Sequence, residues 1–316
     1  MGTADGTAVL LSTKANAMAD WAEALRALDP TLEIRLFPDA GDPAAIEAAV
    51  VWTEHDMAEL RRYPNLKLIV SMGAGVDHLL RPPGPPPGVP VARLVDERLT
   101  QGMTEWVLLN VLRFHRQDPE YRAQQAARVW RELPAPDTAA RRVGILGLGA
   151  LGAAAARALR GLGFPVMGWS RRPKALEGIE CFHGAEGLSA MLPRTDILVC
   201  LLPLTPQTRG IVGRDLLQSL PRGAYVINGA RGGHVVDADL LHALDTGQVA
   251  GAALDVFEPE PLPADHPYWS HPKVFVTPHA ASITIPRSAA PQVVENIHRV
   301  RAGRPLINLV DLAAGY

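Results

Sequence analysis

The sequence has few cysteines, few aromatic residues and almost no net charge. Its 316 residues include 2 cysteines, 5% aromatic residues and a formal net charge of −2. Because Cys181 and Cys200 are the only thiols, a structural disulfide framework and a cysteine-based metal site are not expected. A nearly neutral chain also has no basic field that would attract nucleic acid. We therefore expect neither a metal nor a nucleic-acid partner.

Long hydrophobic runs are missing as well. No apolar stretch reaches the roughly 18 residues that a membrane span needs. The N-terminal segment MGTADGTAVLLSTK lacks the basic residues that open a secretory signal. We therefore expect a cytoplasmic protein with no membrane partner. Hydrophobic residues still make up 47% of the chain, and its length is sufficient for two domains that each have a core.

Short apolar segments bounded by Gly, Pro or Asp recur along the chain. Strands buried on both faces read as continuous apolar runs, and strands that alternate with helices indicate parallel sheets. The predicted strands lie at 8–12, 33–37, 48–52, 66–70, 89–94, 141–147, 164–169, 196–202, 224–229, 249–256 and 274–278. The predicted helices lie at 18–28, 101–130 with Pro119 as a break or kink, and 286–302. The pattern predicts two α/β domains, the second inserted within the first.

A glycine-rich turn follows the first strand of the second series. In G-L-G-A-L-G, Gly147 suits a tight turn, Gly149 lets backbone approach a pyrophosphate, and Gly152 allows close helix packing. The N-terminus of the following Ala-rich helix offers N–H groups to phosphate. The predicted pyrophosphate site comprises Gly147, Leu148, Gly149, Ala150, Leu151 and Gly152. A turn without a ligand and a methyltransferase loop are the alternatives.

The next strand ends in Ser170, Arg171 and Arg172, about 20 residues further on, where many dinucleotide-binding proteins carry an acid. An acid there binds the ribose 2′-OH and repels a 2′-phosphate, whereas guanidinium groups bind the phosphate. Two charge-assisted hydrogen bonds, each worth roughly 1.5–3 kcal/mol, would favour NADPH by roughly a hundredfold. We therefore predict NADPH as the cofactor, with NADH as the alternative. A solvated basic turn is the structural alternative.

Polar residues follow three further strands. INGARGG places Arg231 after one strand, DVFEPEP places Asp255, Glu258 and Glu260 after the next, and TPHAAS places His279 after the last. Ligands in open α/β sheets bind at the carboxyl ends of strands, so these segments are expected to converge. Taken singly, each residue is better explained by a structural role: Arg231 as a cap or salt-bridge partner, Glu260 as a surface acid, and His279 as a histidine bonded to the backbone.

With these residues in place, the sequence resembles the D-isomer-specific 2-hydroxyacid dehydrogenases over essentially its whole length. The motifs that carry the resemblance are SMGAGVDHL (71–79), GILGLGALG (144–152), LLPLTPQT (201–208), INGARGG (227–233), LDVFEPEPLP (254–263) and TPHAAS (277–282). It is most similar to the glyoxylate/hydroxypyruvate reductase A group, which shares the WSR-type strand end and the terminal Gly-Tyr. Several motifs in family order are more specific than any one of them.

The resemblance implies catalytic roles for Arg231, Glu260 and His279, an active site in a cleft and, usually, a homodimer. Arg231 can bind the carboxylate of a 2-oxo acid or polarise its ketone. His279 can supply the proton, and an adjacent Glu260 carboxylate would favour its protonated form. The family places its acid five residues after the Asp of DVF, which selects Glu260 over Glu258.

Other residues are expected to contact the ligands. The predicted substrate-binding residues are Trp52, Ala74, Gly75, Arg231 and Ser282. Besides the glycine turn and Ser170, Arg171 and Arg172, the predicted cofactor-binding residues are Leu202, Pro203, Thr208, Gly229, Ala230, Asp255 and Ala281. Trp52 either walls the substrate site or is a core aromatic residue, and Asp255 either faces the cofactor or stabilises a turn. The backbone N–H groups of Ala74 and Gly75 can bind a carboxylate. His78, His115 and His234 are interpreted as structural or surface residues.

The predicted fold class is α/β, with two doubly wound parallel-sheet domains. A Rossmann-type cofactor domain at 97–283 is inserted into a flavodoxin-like substrate domain at 1–96 plus 284–316. The predicted function is NADPH-dependent reduction of small 2-oxo acids, glyoxylate and hydroxypyruvate, to 2-hydroxy acids by a homodimer. The alternatives are a non-catalytic dinucleotide-binding sensor, similar to corepressors of the same fold, and a reductase of larger 2-oxo acids.

Overall fold

The structure is a computed structural model that describes residues 8–52 and 56–316. The chain folds into two units, one formed by Met1–Leu99 together with Thr284–Tyr316 and the other by Thr100–Ile283. The strands are β1 Ala8–Ser12, β2 Glu33–Leu36, β3 Ile46–Val51, β4 Leu68–Ser71, β5 Val91–Arg93, β6 Val143–Leu146, β7 Val166–Ser170, β8 Glu180–His183, β9 Ile197–Cys200, β10 Ala224–Asn228, β11 Val249–Leu254 and β12 Val274–Val276. The helices are α1 Ala15–Leu28, α2 Asp77–Leu80, α3 Glu97–His115, α4 Asp118–Ala126, α5 Ala150–Gly161, α6 Gly184–Met191, α7 Arg214–Ser219, α8 Asp237–Asp245 and α9 Pro286–Arg301.

The first unit is built on a five-stranded parallel sheet in the order β2-β1-β3-β4-β5. This is the strand order of flavodoxin-like doubly wound sheets. Successive residues of a strand point to opposite faces. Val9 and Leu11 therefore pack in the core that includes α1 and α9, while Ala8 and Leu10 pack in a second core. The sheet is covered on both faces, as its uninterrupted apolar strands require.

The second unit has a seven-stranded parallel sheet in the order β12-β11-β10-β9-β6-β7-β8. The order reverses between β6 and β9, which is the switch point where Rossmann-type sheets bind dinucleotides. Leu198 and Cys200 of β9 face one core, and Ile197 and Val199 face the other. The glycine turn leaves the carboxyl end of β6 beside this switch point, so it lies where sheets of this topology bind dinucleotides.

Two local features differ from the sequence prediction. The helix expected at 101–130 is two helices, α3 and α4, because Gln117 adopts a left-handed conformation with φ 60°. Pro119 lies in the first turn of α4. A backbone N–H at this position has no intrahelical acceptor, so proline costs the helix no hydrogen bond. Strand β8 was not predicted, since its sequence ECFH is mixed in polarity and its residues are partly exposed.

Among the helices formed by residues 8–52 and 56–316, none combines the length and apolar character needed to cross a membrane. The same residues include no cluster of three or more His, Cys, Asp or Glu side chains placed to hold a metal ion.

Candidate active site

The glycine turn has the geometry of a pyrophosphate-binding loop. Gly147 adopts φ +102°, which a residue with a side chain rarely takes, and it lies against the backbone of Leu201. A Cβ on Gly152 would lie 1.8 Å from the carbonyl oxygen of Gly147, so only glycine lets α5 approach the turn this closely. A Cβ on Gly149 would meet nothing within 4 Å, so its face of the turn opens outward. The first turn of α5 supplies backbone N–H groups there, and the turn therefore fits a dinucleotide.

The end of β7 lies beside the glycine turn. The Leu148 side chain packs over Gly168, where an added Cβ would lie 2.4 Å from its Cδ2. Lys174 donates from Nζ to the Leu148 carbonyl oxygen at 2.6 Å, which ties the segment after β7 to the turn. Buried Ser170 donates from Oγ to the Arg172 carbonyl oxygen at 2.8 Å, so this hydroxyl shapes the turn that presents the arginines. Arg171 and Arg172 are both exposed.

A structured loop follows β9 and contains the predicted cofactor residues Leu202, Pro203 and Thr208. Leu202 is buried. Thr208 donates from Oγ1 to the Pro203 carbonyl oxygen at 2.7 Å and accepts from the Thr205 backbone N–H at 2.8 Å. This closed turn leaves the carboxyl end of β9, next to the glycine turn that leaves β6.

Gly229, Ala230 and Arg231 follow β10. A Cβ on Gly229 would approach the Trp106 ring to 2.9 Å and the Met103 sulfur to 3.2 Å. The Met103 and Trp106 side chains, which belong to α3, are buried, so they pack beneath this segment. Buried Asn228 accepts from the Ala230 N–H at 3.1 Å and donates from Nδ2 to the Arg231 carbonyl oxygen at 2.9 Å. The backbone that carries Arg231 is thus held from the end of the strand.

Asp255 is buried at the end of β11 and stabilises the turn that carries His279. One carboxylate oxygen accepts from Thr277 Oγ1 at 2.6 Å and from the Ala280 N–H at 2.9 Å, and the other accepts from the Ala281 N–H at 2.9 Å. The Asp255 carbonyl oxygen accepts from the His279 N–H at 2.7 Å. Of the two roles considered for Asp255, its observed contacts are those of turn stabilisation. The predicted cofactor residue Ala281 is buried in the same turn.

His279 and Glu260 form a direct pair. His279 Nδ1 lies 2.8 Å from Glu260 Oε2, and Glu260 Oε1 accepts from the Phe257 N–H at 2.9 Å. The side chains are 33% and 35% exposed, so the pair is accessible to a small molecule. His279 has φ 51°, a strained conformation for a non-glycine residue that its backbone hydrogen bonds maintain. With Nδ1 engaged by Glu260, Nε2 is the ring nitrogen available to a substrate.

Electrostatics keep Glu260 ionised. Burial alone would raise the pKa of Glu260. The hydrogen bonds from His279 and the Phe257 N–H, with the charges of His279 and Arg231, outweigh burial and hold the pKa of Glu260 below its usual range. Arg231, Glu260 and His279 are therefore coupled in one site, although they follow three different strands.

Glu258 points to a different partner. Its carboxylate makes a two-point ion pair with Arg209, in which Nη1 meets Oε2 and Nη2 meets Oε1. Of these two glutamates, Glu260 is the one in contact with His279. Ser282, also predicted, lies against α3, where its Oγ would be 2.9 Å from a Cβ on Gly102.

The predicted substrate residues of the first unit lie around the turn after β4. The Trp52 ring packs on Gly73, where an added Cβ would lie 2.4 Å from the ring, and meets the His78 ring edge-on at 5.0 Å. The Ala74 carbonyl oxygen accepts from Arg93 Nη1 at 3.3 Å, and the Gly75 carbonyl oxygen accepts from Ser71 Oγ at 3.3 Å. Both carbonyls are thus engaged within this unit.

The chain is similar to known proteins over most of its length. The family described as "D-isomer specific 2-hydroxyacid dehydrogenase, NAD binding domain" matches residues 108–281. A relative named glyoxylate/hydroxypyruvate reductase A from Yersinia enterocolitica is 44% identical over 94% of this chain and 96% of its own length.

The chain belongs to the D-isomer specific 2-hydroxyacid dehydrogenase family.

Solved structures of this family superpose closely on the chain. A D-isomer specific 2-hydroxyacid dehydrogenase from Xanthobacter autotrophicus Py2, in complex with NADPH and MES, has a TM-score of 0.94 and 48% identity, covering 98% of this chain and 100% of that one. An NADPH-dependent glyoxylate/hydroxypyruvate reductase from Sinorhizobium meliloti, in complex with NADP and sulfate, has a TM-score of 0.91 and 42% identity with the same coverage. The family and the α/β fold class predicted from sequence are confirmed, as is the prediction of an NAD(P)-dependent dehydrogenase.

Several residues of this dehydrogenase site were not singled out from the sequence as binding or catalytic. Asn228, Thr277 and Lys174 hold the backbone of the predicted segments, and His234 contacts the carbonyl oxygens of Arg231 and Pro203. A polar residue that ends an apolar strand, as Asn228 does, is a recognisable signal. The other contacts join segments that are distant in the chain, so no local pattern reveals them.

The second and third glycines of the turn, Gly149 and Gly152, should respond differently to substitution. Gly152→Ala should strongly destabilise the protein, because its Cβ would collide with the Gly147 carbonyl oxygen. Gly149→Ala should change the free energy of unfolding by less than about 1 kcal/mol but weaken dinucleotide binding. Urea unfolding and cofactor fluorescence titration measure the two effects. Equal loss of stability in both variants would contradict the geometry.

Proposed function

We propose that this protein reduces small 2-oxo acids, glyoxylate and hydroxypyruvate among them, to 2-hydroxy acids with NADPH as the hydride donor. The observation that carries the proposal is the His279–Glu260 pair, coupled to the charge of Arg231 in the unit that contains the glycine turn. Relatives named glyoxylate/hydroxypyruvate reductase A support the substrate class.

The preference for NADPH rests on the segment after β7. Arg171 and Arg172 stand where an NAD-binding protein carries an acid, and Ser170 constrains the turn that presents them. Solved relatives in complex with NADPH or NADP support this choice. We assign the dinucleotide to the unit Thr100–Ile283, where residues 147–152 would hold the pyrophosphate. The residues proposed beside the rest of the cofactor are Leu202, Pro203, Thr208, Gly229, Ala230, Asp255 and Ala281.

Arg231 and His279 would act on the substrate. The Arg231 guanidinium binds the carboxylate of the 2-oxo acid through charge-assisted hydrogen bonds and orients its ketone. His279 donates a proton from Nε2 to the ketone oxygen, while Glu260 holds Nδ1 and stabilises the protonated imidazole. NADPH, when bound, supplies the hydride that adds to the carbonyl carbon. The π bond of the carbonyl is thus replaced by a C–H and an O–H bond, the C–O single bond remains, and NADPH becomes NADP⁺.

Further residues are proposed to contact the substrate. Because the carbonyls of Ala74 and Gly75 bond to Arg93 and Ser71, we propose that N–H groups of the same turn bind a carboxylate. The Trp52 ring, packed on Gly73, would provide an apolar wall. Ser282 is also proposed as a substrate contact.

We further propose that the protein is a homodimer. Four large apolar side chains on α3 and after α4 are exposed, namely Leu109, Leu112, Val129 and Trp130, and Trp130 is 100% exposed. Exposed apolar side chains of this size favour a protein–protein contact. The cytoplasmic location and the lack of a nucleic-acid partner stay predictions from sequence.

The cofactor preference can be tested by steady-state assays of glyoxylate, hydroxypyruvate, pyruvate and phenylpyruvate with NADPH and with NADH. NADPH should be preferred, with turnover of glyoxylate and hydroxypyruvate. Replacing both Arg171 and Arg172 by Ala should lower kcat/KM for NADPH by about tenfold to a hundredfold and leave that for NADH nearly unchanged. The control is Arg222→Ala, which removes a guanidinium that donates to the Thr246 carbonyl oxygen. Wild-type preference for NADH would overturn the assignment.

The role of Glu260 can be tested with a matched pair of variants. Because the pKa of Glu260 is lowered, its carboxylate persists as the pH falls and is lost only below the usual carboxyl range. Removing that charge in Glu260→Gln disfavours the protonated His279, so the alkaline limb of the pH–rate profile for reduction should move to lower pH. Glu258→Gln breaks the Arg209 ion pair but should leave this limb in place. Identical profiles for Glu260→Gln and wild type would contradict the role proposed for Glu260.

The homodimer can be tested by sedimentation equilibrium. Wild-type protein should have twice the mass of the chain, and Trp130→Glu should shift it toward monomer because a charge would enter an apolar contact. Leu162→Glu, at another exposed apolar position of the same unit, should remain dimeric. A monomeric wild type, or a Trp130→Glu dimer of unchanged affinity, would refute the proposed contact.

A further inference from the structure

One buried histidine outside the proposed catalytic pair lies between two loops of the site. His234 ends the short 3-10 turn Gly232–His234 that follows Arg231, and its exposure is 0%. Its Nδ1 lies 3.1 Å from the Arg231 carbonyl oxygen, and its Nε2 lies 3.3 Å from the Pro203 carbonyl oxygen. The first carbonyl belongs to the loop that carries the substrate-binding arginine, and the second belongs to the loop after β9.

We propose that His234 is a positioning residue that sets the Arg231 loop against the cofactor loop at 203–208. The proposal rests on the proposed function, since that function assigns Arg231 to the substrate carboxylate and residues 203–208 to the dinucleotide. His234 touches neither ligand in this account. It acts through the two carbonyl groups that its ring joins.

The backbone around His234 supports a joint between the two loops. Gly210 donates its N–H to the Gly233 carbonyl oxygen at 2.8 Å, and Val212 donates its N–H to the His234 carbonyl oxygen at 2.9 Å. A parallel bridge pairs Val212 with Val235. The end of the cofactor loop is therefore paired with the segment after Arg231, and the imidazole adds a second connection at Pro203.

Each carbonyl that faces the ring also has a donor from its own loop. The Arg231 carbonyl oxygen accepts from Asn228 Nδ2 at 2.9 Å, and the Pro203 carbonyl oxygen accepts from Thr208 Oγ1 at 2.7 Å. Each loop is thus ordered internally, whereas the imidazole contacts both loops at once. Loss of the ring contact should change the placement of one loop against the other more than the order within either loop.

The chemistry of imidazole suits this task. It carries a nitrogen on each of two ring edges, and any protonation state donates from at least one of them, while the imidazolium donates from both. A buried aliphatic side chain of similar size could fill the space but would donate to neither carbonyl. A ring that bridges two loops therefore has a function that packing alone does not provide.

Two conservative variants separate the halves of the bridge. In His234→Asn the amide nitrogen takes the place of Nδ1 and keeps the bond to the Arg231 carbonyl, whereas in His234→Gln it takes the place of Nε2 and keeps the bond to Pro203. His234→Gln should raise KM for glyoxylate by about fivefold to thirtyfold, with the Kd of NADPH within about twofold. His234→Asn should instead raise the Kd of NADPH and leave KM for glyoxylate nearly unchanged. His242→Gln, at an exposed histidine of α8, is the matched control and should change neither constant.

The crossed pattern would support the proposal. Equal changes in both constants for both variants, or no change in either constant, would overturn it. If neither variant folds, ¹⁵N NMR of the wild-type histidines tests the same point. The His234 ring signals should shift on binding of NADP⁺ and again on binding of oxamate, a 2-oxo-acid analogue. Ring signals that shift with neither ligand would overturn the proposal.

Failure of this inference is distinguishable from failure of the proposed function. Wild-type turnover of glyoxylate with NADPH, abolished by Arg231→Gln, would uphold the proposed function whatever the His234 variants show. If the wild type bound NADPH without turnover, the cofactor Kd of His234→Asn would still test the half of the bridge at Pro203.

Discussion

The placement of His279 depends on one buried carboxylate. Asp255 accepts three hydrogen bonds from the turn after β12, and its backbone carbonyl accepts the N–H of His279 itself. Burying a carboxylate costs free energy unless it is fully hydrogen-bonded. The three donors therefore stabilise buried Asp255, and Asp255 in turn fixes the turn that carries them. The same bonds hold His279 in a left-handed conformation that would otherwise cost about 1–2 kcal/mol. The ring is thereby presented to Glu260.

The parallel sheet explains why these groups meet. Neighbouring parallel strands end at one edge, and segments with residues proposed to bind or act on the ligands follow β6, β9, β10, β11 and β12 there. Side chains buried beneath that edge secure the segments, and Trp106 is one of them, since its Nε1 donates to Thr277 Oγ1 at 3.2 Å. The Asp255 network therefore continues into the core of the unit. Catalytic geometry and core packing are parts of the same structure.

Sequence reasoning reached the fold because the relevant signals are local. Continuous apolar runs predicted eleven of the strands, and the spacing of the glycines predicted the turn after β6. Strand β8 and the break at Gln117 were missed, because a short edge strand needs no apolar run and a left-handed residue leaves no compositional trace. The acid among the three carboxylates after β11 was chosen by family spacing, whereas the structure distinguishes Glu258 from Glu260 by their partners.

Residues that act by positioning other residues could not be predicted from the sequence. His234 looked like a structural histidine, and its two carbonyl partners lie in segments that are separate in the chain. Asp255 could be placed at a strand end, but whether its carboxylate turned toward a ligand or into a turn depended on donors 22 to 26 residues away. Such pairings arise only when the sheet brings strand ends together.

The proposed reduction depends on proton donation by His279, which Glu260 and the Asp255 turn hold in place. Single-turnover reduction of glyoxylate by His279→Gln with prebound NADPH measures this step. The rate of hydride transfer should fall by about 10²–10⁴-fold, with NADPH affinity unchanged. A variant that reduces glyoxylate at the wild-type rate would contradict it.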